Sequence, residues 1–175
     1  MQGDQPLLWC VAAPYGGALR ALLLRQRSRP QPRLIRGLAA CLQACCSQVL
    51  PGALLVPIPS WKRAGNPLPL LLAEGLAQAS AGQAQLAAQL LRRTRPTVGQ
   101  HHLGRALRSR NLLDAFAATA RARATGRLAP LWLVDDILTT GSTALAAAQA
   151  LQRAGYAVQG VLALARTPAR CPTVI

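Results

Sequence analysis

Acidic residues are scarce in this chain: Asp4, Glu74, Asp114, Asp135 and Asp136 are the only five in 175 residues, against 20 Lys and Arg. The formal charge of +15 at pH 7 points to anionic partners: phosphorylated small molecules, nucleic acid or an acidic protein surface. Aromatics are scarce too, at 3%, which argues against a dedicated single-strand binder, because stacking on aromatic faces supplies much of that affinity. Lysine occurs once, as Lys62, so the charge is carried by arginine. The plain reading of many of those arginines is a solvated helix face. No apolar run reaches the roughly 18 to 20 residues of a membrane span, and the N-terminus lacks the basic start and small-residue cleavage site of a signal peptide. A cytoplasmic location is expected.

The five cysteines, Cys10, Cys41, Cys45, Cys46 and Cys171, are odd in number and do not suggest a disulfide framework. They are expected to be reduced and buried as small hydrophobes. Cys41 and Cys45 fall on one helix face, but tetrahedral zinc wants four ligands and no second pair accompanies them.

With 51% hydrophobic residues, the chain is long enough to bury one core and short for two, so a single domain is expected. Leu7 to Ala13 reads as a strand, and Leu19, Leu22 and Leu23 mark a helix after it. The basic stretch Arg25 to Arg33, interrupted by Pro30 and Pro32, reads as a loop. Leu34, Leu38, Leu42, Cys45 and Val49 recur at helical spacing, Ala53 to Ile58 reads as a strand buried on both faces, and Leu70 to Ala79 as a helix. A strand around Leu90 to Arg93 is favoured over a helix tail. Thr94 to Gly104 has no apolar periodicity and reads as a mobile loop, and Arg105 to Phe116 is amphipathic. Leu131 to Val134 reads as a four-residue strand, Asp135 to Ser142 as a polar turn, and Thr143 to Arg153 as a helix closed by Gly155. Val158 to Ala165 is the last buried strand. Strands alternating with helices predict an α/β fold with a parallel sheet flanked by helices.

The segment from Leu131 to Thr143 carries the clearest chemical signal. Asp135 and Asp136 follow a buried strand, and in an open parallel sheet the crevice beyond the carboxyl ends of the strands receives ligands. Adjacent carboxylates repel each other and are costly to desolvate unless compensated, and a vicinal diol or a metal-bearing sugar phosphate is a natural partner. Thr139, Thr140, Gly141, Ser142 and Thr143 then place four hydroxyls and a glycine where a helix begins, so that backbone N–H groups and the helix dipole converge on one spot suited to phosphate. The plainer alternative is that the acids are turn residues and Thr140 or Ser142 is only a helix cap.

These thirteen residues resemble the phosphoribosyl pyrophosphate loop of type I phosphoribosyltransferases, and the chain from about Tyr15 to Arg166 resembles the ComF family of competence-associated proteins. Tyr15-Gly16-Gly17-Ala18-Leu19-Arg20, Val56-Pro57-Ile58-Pro59 with Lys62-Arg63, the stretch Arg92 to Gln100, and Arg110-Asn111-Leu112 with Ala115-Phe116 match that family's successive signatures in order. The resemblance implies that Asp135 and Asp136 hold the ribose hydroxyls, that Thr139 to Thr143 cradle the 5-phosphate, and that Ser60, Lys62 and Arg63 lie at the pyrophosphate. It implies a small hood and a flexible lid from Arg95 to Arg110, with Arg95, Arg105 and Arg110 offsetting charge as the glycosidic carbon gains oxocarbenium character. Magnesium would arrive with the ligand, without protein ligands of its own. Where the family has Arg-Gly-Phe-Asn-Gln, this sequence has Arg63-Ala64-Gly65-Asn66-Pro67, an altered loop. The family's four-cysteine zinc module is lacking, so no structural zinc is expected.

Two classes of function follow. One is a phosphoribosyltransferase acting on phosphoribosyl pyrophosphate or a nucleotide-like ligand. The other is a non-catalytic accessory of DNA uptake that binds single-stranded DNA or competence proteins, with Arg92, Arg93, Arg95, Arg105, Arg108 and Arg110 as a candidate patch. His101 and His102 fall in the proposed lid, where an imidazole could titrate near neutral pH, solvated loop residues being the plainer reading. A homodimer is expected by analogy alone.

Overall fold

The computed structural model describes residues 1–4, 7–60, 65–94, 115–120 and 129–168. The apolar runs become strands: β1 (Gln2–Gly3), β2 (Trp9–Pro14), β3 (Leu54–Pro57), β4 (Gln85–Leu86), β7 (Leu131–Leu138) and β8 (Val158–Arg166). They form one sheet in the order β1-β2-β8-β7-β3-β4, parallel at every pairing except β1 with β2. Helices α1 (Gly17–Ser28), α2 (Pro32–Cys46), α3 (Leu68–Ala79) and α4 (Ser142–Arg153) cover it. A separate antiparallel pair, β5 (Leu91–Arg93) and β6 (Phe116–Ala118), makes a second small sheet. The fold is α/β, as the alternation of patterns predicts.

Each face of the sheet has its own core, because the pleat sends successive side chains to opposite sides. From β7, Trp132 and Val134 join Ile35, Ala39 and Leu42 of α2 and Leu68, Leu72 and Leu76 of α3. On the other face Leu131 and Leu133 join Ala144, Ala147, Ala148 and Leu151 of α4. The chain leaves β3 through α3 toward β4 on one side, and leaves β7 through α4 toward β8 on the other. The segments following these two neighbouring strands therefore diverge, which opens a crevice at their carboxyl ends.

Several local expectations are corrected. The strand β7 runs to Leu138, so Asp135 and Asp136 lie within it instead of after it; Asp135 pairs with Ala163 and Ile137 with Ala165, and these ladder bonds to β8 outweigh the local turn signal. Arg25 to Ser28 continue α1, and the loop shrinks to the residues around Pro30, because Pro32 is tolerated in the first turn of α2, where no N–H is needed. The amphipathic stretch ends in a strand, with Phe116 in β6 opposite Arg93 and buried in the core on the α4 side. Of the cysteines, Cys10 and Cys46 are buried but Cys41 is exposed. Burial pushes the Cys46 thiol up to about 12, which makes it inert at neutral pH.

Gly160 marks where the interior strand β8 closes up against its neighbours. A Cβ there would meet the Leu8 carbonyl and the Trp132 ring, and the Leu8 carbonyl also accepts the Val161 N–H at 2.9 Å. Backbone cannot yield as a flexible side chain can, so Gly160→Ala is expected to cost about 1–3 kcal/mol or more of stability. Urea denaturation checks this, and an unchanged midpoint would contradict it.

Candidate functional site

The crevice between the ends of β3 and β7 gathers most of the described residues that the sequence singles out. Pro59 and Ser60 follow β3, Asp135 and Asp136 occupy the last turns of the pleat in β7, and Thr139 to Thr143 lead into α4. Gly141 is buried and left-handed, with φ 77° and ψ 0°, and it is the residue preceding α4. A side chain other than glycine would be strained there. No side chain caps the helix; the Thr140 and Ser142 hydroxyls instead bond each other at 2.9 Å, and Ser142 N–H approaches Thr140 Oγ1 at 3.4 Å. The first helical bond runs from Leu145 N–H to the Gly141 carbonyl at 2.8 Å. The N–H groups of Thr143 and Ala144 thus have no carbonyl behind them in the helix, which is the arrangement that receives an anion.

The two acids are unequal. Asp136 is 1% exposed and faces α1 and the start of α3, where Arg27 grips it in fork geometry, Nε to Oδ2 at 2.7 Å and Nη2 to Oδ1 at 2.9 Å. Asn66 adds a bond from Nδ2 to Oδ2 at 2.9 Å while its own Oδ1 accepts the Leu68 N–H at 3.1 Å. The bond to Asp136 raises the pKa of the Arg27 guanidinium beyond its ordinary value, against the opposing effect of burial. Asp135 is half-buried, and alternation along β7 places it on the opposite face, that of Leu131 and Leu133. Burial pushes its carboxyl well above the usual carboxylate range, the Asp136 charge adding to the effect; the Asp136 N–H, donated to Asp135 Oδ1 at 2.8 Å, and the more distant Arg27 charge pull the other way.

Comparison with known proteins adds one relation. Part of this chain is similar to the DNA utilization protein YhgH. It is 42% identical over 79 residues to YhgH of Salmonella typhi, covering 45% of this chain and 33% of the relative. It is 45% identical over 75 residues to YhgH of Escherichia coli K12, covering 43% and 31%. The match therefore spans about a third of the length of these relatives. No family model matches. Among solved structures, that of the allosteric regulatory enzyme of purine biosynthesis is similar over 74% of this chain and 25% of its own, at 21% identity and a TM-score of 0.44.

Lys62 and Arg63, the segment Arg95 to Arg110 with Arg95, Arg105 and Arg110, and His101 and His102 lie outside the described residues. Of the basic cluster around them, Arg92 is exposed, whereas Arg93 is half-buried, donates to the Pro59 carbonyl at 3.3 Å and lies 4.8 Å from the Phe116 ring centroid. Burial lowers its pKa. Arg93 thus braces the small sheet against the loop after β3. Sequence reasoning missed Arg27 entirely, since one arginine in a basic helix carries no mark of its partner. The available signal was the need of two adjacent acids for a counter-charge. A cavity of about 450 Å³ lined by Thr94, Phe116, Thr119 and Arg153 lies at the far end of α4 from Gly141, away from these acids.

Proposed function

We propose that the chain is a phosphoribosyltransferase-like protein that binds phosphoribosyl pyrophosphate, or a related ribose 5-phosphate, in the crevice between β3 and β7, in a role linked to DNA use. The observation that carries this reading is the left-handed glycine, Gly141, at the N-terminus of α4, a few residues after the acids of β7. The 5-phosphate would accept the N–H groups of Thr143 and Ala144 and the hydroxyls of Thr139 to Thr143, and Asp135 would accept from the ribose hydroxyls. Magnesium would be carried by the phosphate oxygens of the ligand. In a transfer reaction pyrophosphate leaves the anomeric carbon, and positive side chains near Ser60 would offset its charge. Lys62, Arg63, Arg95, Arg105 and Arg110 remain the candidates for that part.

Calorimetric titration of the wild type with phosphoribosyl pyrophosphate and magnesium tests the reading. Binding is expected, and Gly141→Val is expected to weaken it by about tenfold or more, since the left-handed backbone and the approach of the anion are both lost. No heat of binding at about millimolar ligand, a contact free energy of only about 4 kcal/mol, rejects the proposal.

A second reading is favoured by one surface. Arg20, Arg25, Arg29, Arg33 and Arg36 on α1, α2 and the turn between them are all exposed, and YhgH is named for DNA utilization. Single-stranded DNA would meet this ridge through its phosphates. Replacing Arg25, Arg29 and Arg33 together by Gln is expected to lower the salt slope of oligonucleotide binding, measured by fluorescence anisotropy, by about 2. Absence of binding at low salt removes this reading and leaves the first intact.

A further inference from the structure

We propose that the twin acids divide their work: Asp136, held by Arg27 and Asn66, is an anchor that positions Asp135, and Asp135 is the single carboxylate that meets the ribose. Arg27 and Asn66 are then positioning residues of the site. The inference rests on the ribose-phosphate reading for the role of Asp135, while the anchor itself stands on contacts within the protein.

Both oxygens of Asp136 are engaged, Oδ2 by two donors and Oδ1 by one. A ribose hydroxyl would have to displace a two-pronged charge-assisted pair, among the strongest hydrogen bonds a carboxylate makes. The donors come from segments remote in sequence, 109 and 70 residues from Asp136. They tie the last turn of α1 and the turn before α3 to the strand that bears the site. The peptide between the acids completes the linkage, because the Asp136 N–H is donated to Asp135 Oδ1 at 2.8 Å. A displacement of the anchored carboxylate therefore moves the very donor that orients its neighbour.

Charge passes along the same route. Among the described residues, the charges acting on Asp135 are Asp136 in its own strand, which opposes ionisation, and Arg27 on α1, which favours it; the paired strand β8 presents Ala163 in register. Tyr15 lies near enough to act on Arg27, not on Asp135. Removing the guanidinium leaves burial and the Asp136 charge opposed by the Asp136 N–H alone, so Asp135 should ionise at a higher pH still. A ribose grip that needs the Asp135 carboxylate is present above that pH and lost below it.

The experiment follows the Asp135 carboxyl by NMR titration in the ligand-free full chain, and measures calorimetric binding of phosphoribosyl pyrophosphate with magnesium over the same pH range. Arg27→Met is expected to move both the Asp135 titration and the acid limb of binding to higher pH, with about tenfold weaker binding at neutral pH. Arg27→Lys, which keeps the charge, is expected to return the titration toward wild type, an outcome a merely structural residue would not produce. Arg27→Gln, which keeps a hydrogen bond without charge, serves if the Met variant does not fold and should shift the titration in the same direction. An Asp135 titration unmoved in a folded Arg27→Met or Arg27→Gln protein overturns the proposal. So does binding that survives Asp135→Asn but is lost in a folded Asp136→Asn. A wild type that binds no phosphoribosyl pyrophosphate defeats the ribose reading and with it the role of Asp135, while the ligand-free titration still accepts or rejects the anchor.

Discussion

Asp135→Asn is expected to abolish binding of phosphoribosyl pyrophosphate and, at neutral pH, to raise Tm. The sign follows from the raised carboxyl pKa of Asp135 in the folded chain, whose largest cause is burial. Between the ordinary value of 3.8 and the higher folded value, the folded state holds a proton that the unfolded state has released. Stability therefore falls as pH rises through the folded pKa, and above the unfolded value the cost of ionising Asp135 works against folding. Asparagine has the same shape, still offers Oδ1 to the Asp136 N–H, and carries no charge to desolvate. Its advantage should shrink on acidification and vanish below the unfolded carboxylate range, where both states of the wild type are protonated. Calorimetric scans at neutral and acid pH, paired with ligand titration, decide it. A Tm that is unchanged or lower in Asp135→Asn at neutral pH would remove the argument that this acid is held at a cost to stability for the sake of a ligand.

Arg27→Met is expected to have the opposite effect and the largest one on stability, a loss of about 3–5 kcal/mol, the usual consequence of stripping the partner from a buried charge. For a chain of this size that corresponds to a fall in Tm on the order of 10 °C. The asymmetry of exposure makes a sharper test. The Arg27 side chain is 35% exposed and that of Asp136 1%. Deprived of Asp136, the guanidinium can turn to water, and the loss is softened by solvent screening. Deprived of Arg27, the carboxylate stays buried with Asn66 as its one remaining side-chain donor among the described residues. Asp136→Asn should therefore cost less than Arg27→Met. Denaturant midpoints for the two variants check the order, and the reverse order would mean that the pair is not the buried clasp its geometry suggests.

The glycine turn at the start of α4 was legible in the sequence because its parts are contiguous. A run of hydroxyls around one glycine at a helix start needs only the local backbone, and Gly141 adopts the left-handed conformation expected of such a position. The extent of β7 was not legible. Asp135 and Asp136 read locally as turn residues, and only pairing with Ala163 and Ala165, almost thirty residues away by chain, holds them in a strand. Phe116 likewise reads only as the apolar end of an amphipathic stretch until its pairing with Arg93 is known.

The sequence by itself determined the alternation of strands and helices, the parallel sheet and the local chemistry of the α4 N-terminus, because each depends on periodicity or on residues within one turn of each other. Tertiary structure alone decided which of the two acids is spent on an arginine. That choice depends on the pleat of β7 and on a partner 109 residues away, and hydrogen bonds at that separation leave no periodic trace in a single chain.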